Sequence, residues 1–280
     1  MTSPVERITE KASKYRDLEK MSIEEITKNI NAEDKTVADA IEKILPDLNR
    51  MIEGLVKQLK NGGRLFYVGA GSGGRLSVLD AIEMPTTYGV SKDMFNVILA
   101  GGIENLIDAL EEMEDDTSDS IRQLTAQNVS KDDFVIGVSA SGTTPFVLEA
   151  MKYCQTHGIP CGSIVSNPQS IISQFSNYPI EIITGPEFIS GSTRMKCGTA
   201  QKMVFDIIST TSMIQLGRVE DNKMVFVNLI NDKIVDRANK MLMEKTGITD
   251  YNKAKELLLR AGNVKSAVEL WQETINHENK

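Results

Sequence analysis

Short apolar runs separated by helix-length segments dominate the middle of this chain. The runs occur at residues 65–68, 95–100, 134–138, 162–165 and 180–183. The segments between the first four runs are long enough for helices, so the pattern predicts βαβαβαβ. Such alternation is typical of an α/β protein with a mostly parallel sheet, here of five strands, and right-handed crossovers. Because ligands of such sheets bind at the carboxyl ends of the strands, chemistry is expected in those loops.

Helices are predicted on both sides of this core. Before it, Ser22 and Glu25 form a capping-box pattern, and Pro46 predicts a kink or a break in a long apolar-periodic segment. After it, helical periodicity returns and continues to the end of the chain. We therefore predict an N-terminal helical arm at residues 1–49, the α/β core at 50–217 and a C-terminal helical bundle at 218–280.

The charge balance and the few cysteines exclude several classes of function. Lys and Arg total 31 against 39 Asp and Glu, a net charge of −8, so neither nucleic acid nor a membrane is an expected partner. Three cysteines without a C-x-x-C pair and two histidines argue against disulfides, zinc or another metal. With no apolar leader and no apolar run of membrane-spanning length, a cytoplasmic protein is expected.

The first predicted strand ends in a glycine-rich loop, G-A-G-S-G-G-R at 69–75. Formally this is the G-x-G-x-x-G pattern of dinucleotide-binding proteins. That interpretation needs an acidic residue after the second strand, and L-A-G-G at 99–102 supplies none. A tight turn without a ligand is the other alternative, but four glycines and a serine exceed what a turn requires. The loop instead suits an anion bound at the N-terminus of a helix.

A second loop, S-A-S-G-T-T-P at 139–145, follows the third predicted strand. Pro145 suits the first turn of the next helix, and capping that helix would use one hydroxyl of the four. Two such loops after neighbouring parallel strands would converge on one small anion, which hydroxyls can bind without carrying charge. We therefore predict a sugar-phosphate site without a cofactor. Its expected ligands are the hydroxyls of Ser72, Ser139, Ser141 and Thr144 and the backbone N–H groups of Gly71, Gly73 and Gly142.

This pattern resembles the sugar isomerase (SIS) domain, in which an S-x-S-G-x-T loop binds a sugar phosphate. The longest motif, G-S-T-R-M-K-C-G-T-A-Q-K at 191–202, narrows the resemblance to the N-acetylmuramic acid 6-phosphate etherases. Further matching segments lie at 31–34, 69–76, 79–90, 100–102, 114–116, 140–145, 166–168 and 185–187. The resemblance implies a three-layer αβα sandwich, a cytoplasmic homodimer and cleavage of a lactyl ether by two proton-transferring groups.

The resemblance also implies roles for individual residues. Glu83 and Glu114 fall at the catalytic positions of the family, and Ile82, Met84 and Pro85 would surround Glu83 with apolar groups. Three further residues complete the expected substrate site: Glu187 for a sugar hydroxyl, Ser192 at the start of a helix that faces the site, and Lys196 to offset substrate charge.

Four positions depart from the family pattern. Gly73 replaces a usual serine, Thr143 a usual arginine, and Met84 and Thr86 a usual cysteine and proline. The loss of an arginine beside the substrate leaves other functions open. One is a non-catalytic sugar-phosphate sensor like the glucokinase regulatory protein, and another is an aldose–ketose sugar-phosphate isomerase.

Overall fold

A computed structural model describes residues 7–107 and 110–278 and divides the chain into two compact units. The first unit comprises Met1–Ala81 and Asp93–Ser209, and the second comprises Ile82–Lys92 and Thr210–Lys280. This division differs from the three predicted parts. The N-terminal arm shares a unit with the sheet, and residues 82–92 group with the C-terminal helices.

The first unit is built on a parallel sheet in the order β2-β1-β3-β4-β5. Its strands are β1 (Leu65–Gly69), β2 (Phe95–Leu99), β3 (Phe134–Ser139), β4 (Cys161–Val165) and β5 (Tyr178–Glu181). The five predicted strands are confirmed, the last one beginning earlier than expected. Since β2 and β3 pair with opposite edges of β1, the chain reverses its direction of travel across the sheet between β1 and β3. Parallel sheets bind ligands at such a point.

Helices flank this sheet. They are α1 (Ile23–Glu42), α2 (Leu45–Lys60), α3 (Gly71–Tyr88), α4 (Asp119–Ala126), α5 (Pro145–His157) and α6 (Lys196–Gln215), with α3 and α6 extending into the second unit. Ser22 and Glu25 form the predicted capping box at the start of α1. The predicted break at Pro46 is also confirmed, because α1 ends before it and Pro46 occupies the first turn of α2, where no amide hydrogen is needed. Phe66, Val135 and Phe146 contribute to the core between sheet and helices.

The second unit contains the helices α7 (Asp232–Thr246), α8 (Tyr251–Ala261) and α9 (Val264–Glu278) around an apolar core that includes Leu242, Leu258 and Val264. The helices predicted after the α/β core are thus confirmed. A small hairpin of β6 (Val219–Glu220) and β7 (Lys223–Met224) precedes it and was not predicted, because two-residue strands show no periodicity. Within residues 7–107 and 110–278, every helix is too short or too polar to cross a membrane.

Candidate active site

The loops after β1 and β3 border one cavity of about 270 Å³ in the first unit. Six predicted ligands line it, namely Gly71, Ser72, Gly73, Ser139, Ser141 and Thr144, together with Glu114. The register explains the convergence, because Gly69 at the end of β1 is level with Val138 near the end of β3. The structure therefore brings the two loops to one place at the carboxyl edge of the sheet.

The glycines of the first loop serve two purposes. A side chain at Gly69 would place its Cβ 2.8 Å from the Cα of Gly74, so this pair allows the start of α3 to pack closely on β1. Gly71 has a φ of 52°, a conformation that glycine adopts without strain. The free amide hydrogens of the first turn of α3 are thereby directed to the end of the sheet, where they favour an anion.

The hydroxyls of the second loop bond to one another. Ser139 Oγ lies 2.8 Å from Thr144 Oγ1 and 3.3 Å from Ser141 Oγ. Thr144 is the N-cap residue of α5, yet its hydroxyl makes no capping bond. Gly142 differs from expectation, because its N–H donates to Ser139 Oγ at 3.1 Å and so supports the loop from within. The hydroxyls of Ser139, Ser141 and Thr144 therefore form a cluster at the cavity wall that is held by their mutual hydrogen bonds.

Three carboxylates also line the cavity, those of Glu10, Glu111 and Glu114. Glu114 is partly buried in the short 3-10 helix Glu111–Asp115. Burial, and after it the nearby carboxylates of Glu111 and Asp115, raise the pKa of the Glu114 carboxyl. A carboxyl group with a raised pKa can give or take a proton closer to neutral pH.

Glu83 lies on α3 within the second unit, and its side chain is exposed. Met84 is buried, but Ile82 is 60% exposed. The expected apolar surroundings of Glu83 are therefore not provided by its neighbours on this helix.

Glu187 and Lys196 hold the protein together rather than face the cavity. The Glu187 carboxylate accepts the N–H groups of Lys196 and Cys197, each at 2.9 Å, and so satisfies the free donors at the start of α6. Lys196, 1% exposed, donates from Nζ to Glu33 Oε2 at 2.6 Å and to the Thr184 carbonyl at 2.9 Å. Neither residue is among the described residues that line the cavity, and their predicted contacts with substrate stay predictions.

Ser192 is partly buried, and its N–H donates to the Ile189 carbonyl at 3.0 Å. The neighbouring Gly191 and Thr193 line the cavity, whereas Ser192 is not among the described residues that do so. The motif at 191–202 thus lines the cavity through Gly191, Thr193 and Gln201, and the role of Ser192 stays a prediction.

Sequence reasoning missed Glu10, Glu111, Thr193 and Gln201. Thr193 and Gln201 belong to the quoted motif at 191–202, so their motif was a usable signal. Glu10 had none, because the arm reaches the cavity through the adjacent Thr9, whose N–H and hydroxyl bond to the Asn167 side chain at 3.2 and 2.9 Å.

Two family models match the chain. One describes the glucokinase regulatory protein N-terminal SIS domain and matches residues 47–155, and the other describes the SIS domain and matches residues 109–210.

Similar curated proteins extend over nearly the whole chain. An N-acetylmuramic acid 6-phosphate etherase of Bacteroides thetaiotaomicron is 47% identical over 95% of this chain and 96% of its own. Etherases of the same name from Porphyromonas gingivalis and a Geobacillus species are 46% and 41% identical, each over 94% of this chain and over 96% and 90% of their own.

Solved structures with the same fold are more distant in sequence. A phosphoheptose isomerase from Neisseria gonorrhoeae superimposes with a TM-score of 0.53 at 15% identity, over 68% of this chain and 98% of its own. A phosphoheptose isomerase from Francisella tularensis gives 0.50 at 15% identity, over 71% of this chain and 100% of its own. At this identity the similarity concerns the fold alone.

Proposed function

Because this chain belongs to the N-acetylmuramic acid 6-phosphate etherase family, we propose that it cleaves the lactyl ether of that sugar phosphate. The products are N-acetylglucosamine 6-phosphate and D-lactate, and the reaction serves the recycling of cell-wall sugars. The observation that carries the proposal is the cavity at the ends of β1 and β3, where uncharged donors and carboxylates face the same space. This combination suits a substrate whose phosphate is bound by uncharged donors and whose sugar loses a proton to a carboxylate.

The chemistry is an elimination followed by hydration. In the open-chain sugar the C1 aldehyde acidifies the proton on C2, and a base removes it. The C2–C3 double bond forms as the C3–oxygen bond breaks, and an acid protonates the departing lactate oxygen. Water then adds across the double bond, giving a hydroxyl to C3 and a proton to C2. Two proton-transferring groups suffice.

We assign these transfers to Glu83 and Glu114. Glu114 borders the cavity and has a raised pKa, as an acid–base group requires. Glu83 is assigned by its position in the family motif. The hydroxyls of Ser72, Ser139, Ser141 and Thr144, with the free amides of the first loop, bind the phosphate and the sugar.

The decisive experiment incubates the purified chain with N-acetylmuramic acid 6-phosphate and measures D-lactate with a lactate dehydrogenase. Release of D-lactate and N-acetylglucosamine 6-phosphate in equal amounts is expected. Interconversion of aldose and ketose phosphates without lactate would indicate an isomerase instead. Tight binding without turnover would indicate a sensor.

We also propose that the enzyme is a cytoplasmic homodimer. The exposed Ile82, Ile214 and Ile230 of the second unit supply apolar surface for such contact, and all three cysteines are buried thiols. Light scattering at the mass of two chains is expected, and a single-chain mass at micromolar concentration would contradict the dimer.

A further inference from the structure

The cavity contains more negative charge than an anionic substrate would favour. Glu10, Glu111 and Glu114 line it, and none of the described lining residues is basic. The substrate of the proposed function carries a phosphate and, on the lactyl group, a carboxylate. Hydroxyls and amides serve the phosphate, so the carboxylate needs a cation from elsewhere.

Lys196 is unsuited to this purpose. Its ammonium group is buried and paired with Glu33 at 2.6 Å. Breaking this ion pair would leave the buried Glu33 carboxylate with less positive charge to balance it, which would destabilise the protein.

Arg75 is better placed. It is the fifth residue of α3 and the last residue of the glycine-rich motif, and it borders a small recess that shares Gly71, Glu111 and Glu114 with the main cavity. Its Nη2 donates to Glu111 Oε1 at 3.2 Å. The other oxygen of this carboxylate, Oε2, lies 4.0 Å from where a Cβ of Gly71 would be.

We propose that Arg75 binds the lactyl carboxylate of the substrate and that Glu111 occupies this place on Arg75 in the free enzyme. Arg75 is then the residue that distinguishes the substrate from its product, which has lost the carboxylate. This inference rests on the proposed function and adds a specificity-determining residue to it.

The exchange of one carboxylate for another is energetically easy. Arg75 and Glu111 are respectively 32% and 66% exposed, and ion pairs exposed to this degree contribute little to stability. Glu111 can return to water when it leaves. The guanidinium group presents a planar pair of donors that fits a carboxylate in two-point contact, which a lysine cannot reproduce.

The first test compares two ligands that differ in the lactyl group. Replacing Arg75 by alanine is expected to raise the KM for N-acetylmuramic acid 6-phosphate by roughly tenfold to hundredfold, as for lost hydrogen bonds to a charged group. The inhibition constant of N-acetylglucosamine 6-phosphate should change less than about twofold, since this ligand makes no contact with the lactyl subsite. Arg75→Lys should give an intermediate KM.

The second test concerns Glu111. Glu111→Gln is expected to lower the KM for the substrate relative to the inhibition constant of the product by about twofold to fivefold, because the internal competitor has lost its charge. In an Arg75→Ala background the same substitution should give no such relative gain. This double-mutant cycle separates competition for Arg75 from a general reduction of negative charge.

Arg50→Ala is the matched control, because Arg50 also pairs with an acidic neighbour, Asp47, at an exposed position but borders no part of the cavity. It should leave both constants unchanged. Equal weakening of both ligands by Arg75→Ala, or no effect on either, would overturn the inference. Lactate release by the wild-type chain establishes the proposed function separately, so the two failures are distinguishable.

Discussion

At the scale of single residues, the cavity combines groups that are ready to donate with groups that are ready to exchange protons. The Ser139, Ser141 and Thr144 hydroxyls are held by mutual hydrogen bonds, so their positions do not depend on a ligand. Hydroxyl hydrogens rotate freely and can turn toward an arriving anion. Glu114, by contrast, is partly buried near other carboxylates, and its burial, followed by these carboxylates, raises the pKa of its carboxyl group.

Replacing the Glu114 carboxyl group by an amide should slow turnover strongly without destabilising the fold. Glu114→Gln is expected to lower kcat by about a hundredfold or more, the usual contribution of a positioned acid or base. Glu112→Gln is the matched control, since this exposed neighbour in the same short helix lies outside the described cavity lining. Lactate release rates of both variants give the answer, and equal rates would exclude a catalytic role for Glu114.

A second carboxyl group, that of Asp80, should make the free energy of unfolding depend on pH. Asp80 of α3 is buried and accepts hydrogen bonds from Ser209 Oγ at 2.7 Å and the Tyr67 hydroxyl at 3.1 Å. Burial raises the pKa of Asp80 to about 6, with the two hydrogen bonds opposing it. Between the unfolded value and this one, the folded state binds more protons than the unfolded state, so this group's contribution to stability falls as pH rises.

We therefore expect Asp80 to make the free energy of unfolding about 2 kcal/mol lower at pH 7 than at pH 4, other groups aside. Asp80→Asn carries no charge and should flatten the profile in this window. Urea titrations of both proteins at several pH values measure it. Parallel profiles for the two proteins would show that Asp80 does not titrate there.

At the scale of elements, long-range hydrogen bonds and an ion pair join the N-terminal arm, the segment after β5 and α6 to one another. Lys196 at the start of α6 pairs with Glu33 of α1, and Glu187 binds the amides of the same helix end. Ser13 of the arm donates its hydroxyl to the Phe188 carbonyl at 2.7 Å. These bonds fix the segment that carries Thr193 to the cavity.

Breaking the buried pair should be costly. Glu33→Ala leaves Lys196 buried without its counter-ion and is expected to destabilise the protein by roughly 3–5 kcal/mol. Glu42→Ala, at an exposed position of the same helix, should stay within about 0.5 kcal/mol. Combining Glu33→Leu with Lys196→Met should recover most of the loss. Thermal and urea unfolding of these variants measure the change in the free energy of unfolding. A mild effect of Glu33→Ala would contradict a stabilising role of the Glu33–Lys196 pair.

These elements also show what sequence can predict. The strands could be predicted from apolar runs, and the starts of α2 and α5 could be predicted from Pro46 and Pro145. The two loops could be placed together because neighbouring parallel strands end at one edge. The ion pair of Lys196 with Glu33 could not be predicted, because the two residues are far apart in the chain and no local pattern indicates the pair. The place of Glu10 in the cavity lining could not be predicted for the same reason, because the hydrogen bonds of the adjacent Thr9 with the distant Asn167 position it.

At the scale of the whole molecule, a chain with a net charge of −8 takes up an anion through a local site. The long-range field opposes the encounter, and salt screens that field. Raising NaCl from about 20 to about 200 mM is therefore expected to increase kcat/KM by about twofold. A sharp decrease would show that cations outside the described cavity attract the substrate.

The order of pairing in the sheet has a consequence for biosynthesis. β1 reaches its second partner, β3, only after β2 has been made, and the arm bonds to Asn167, which emerges later still. A nascent chain that has left the ribosome as far as residue 130 therefore contains the glycine-rich loop at 69–75 but not the hydroxyl-rich loop at 139–145. The N-terminal arm is translated well before Asn167, to which it bonds, and the growing polypeptide lacks part of the cavity lining until translation has passed Gln201.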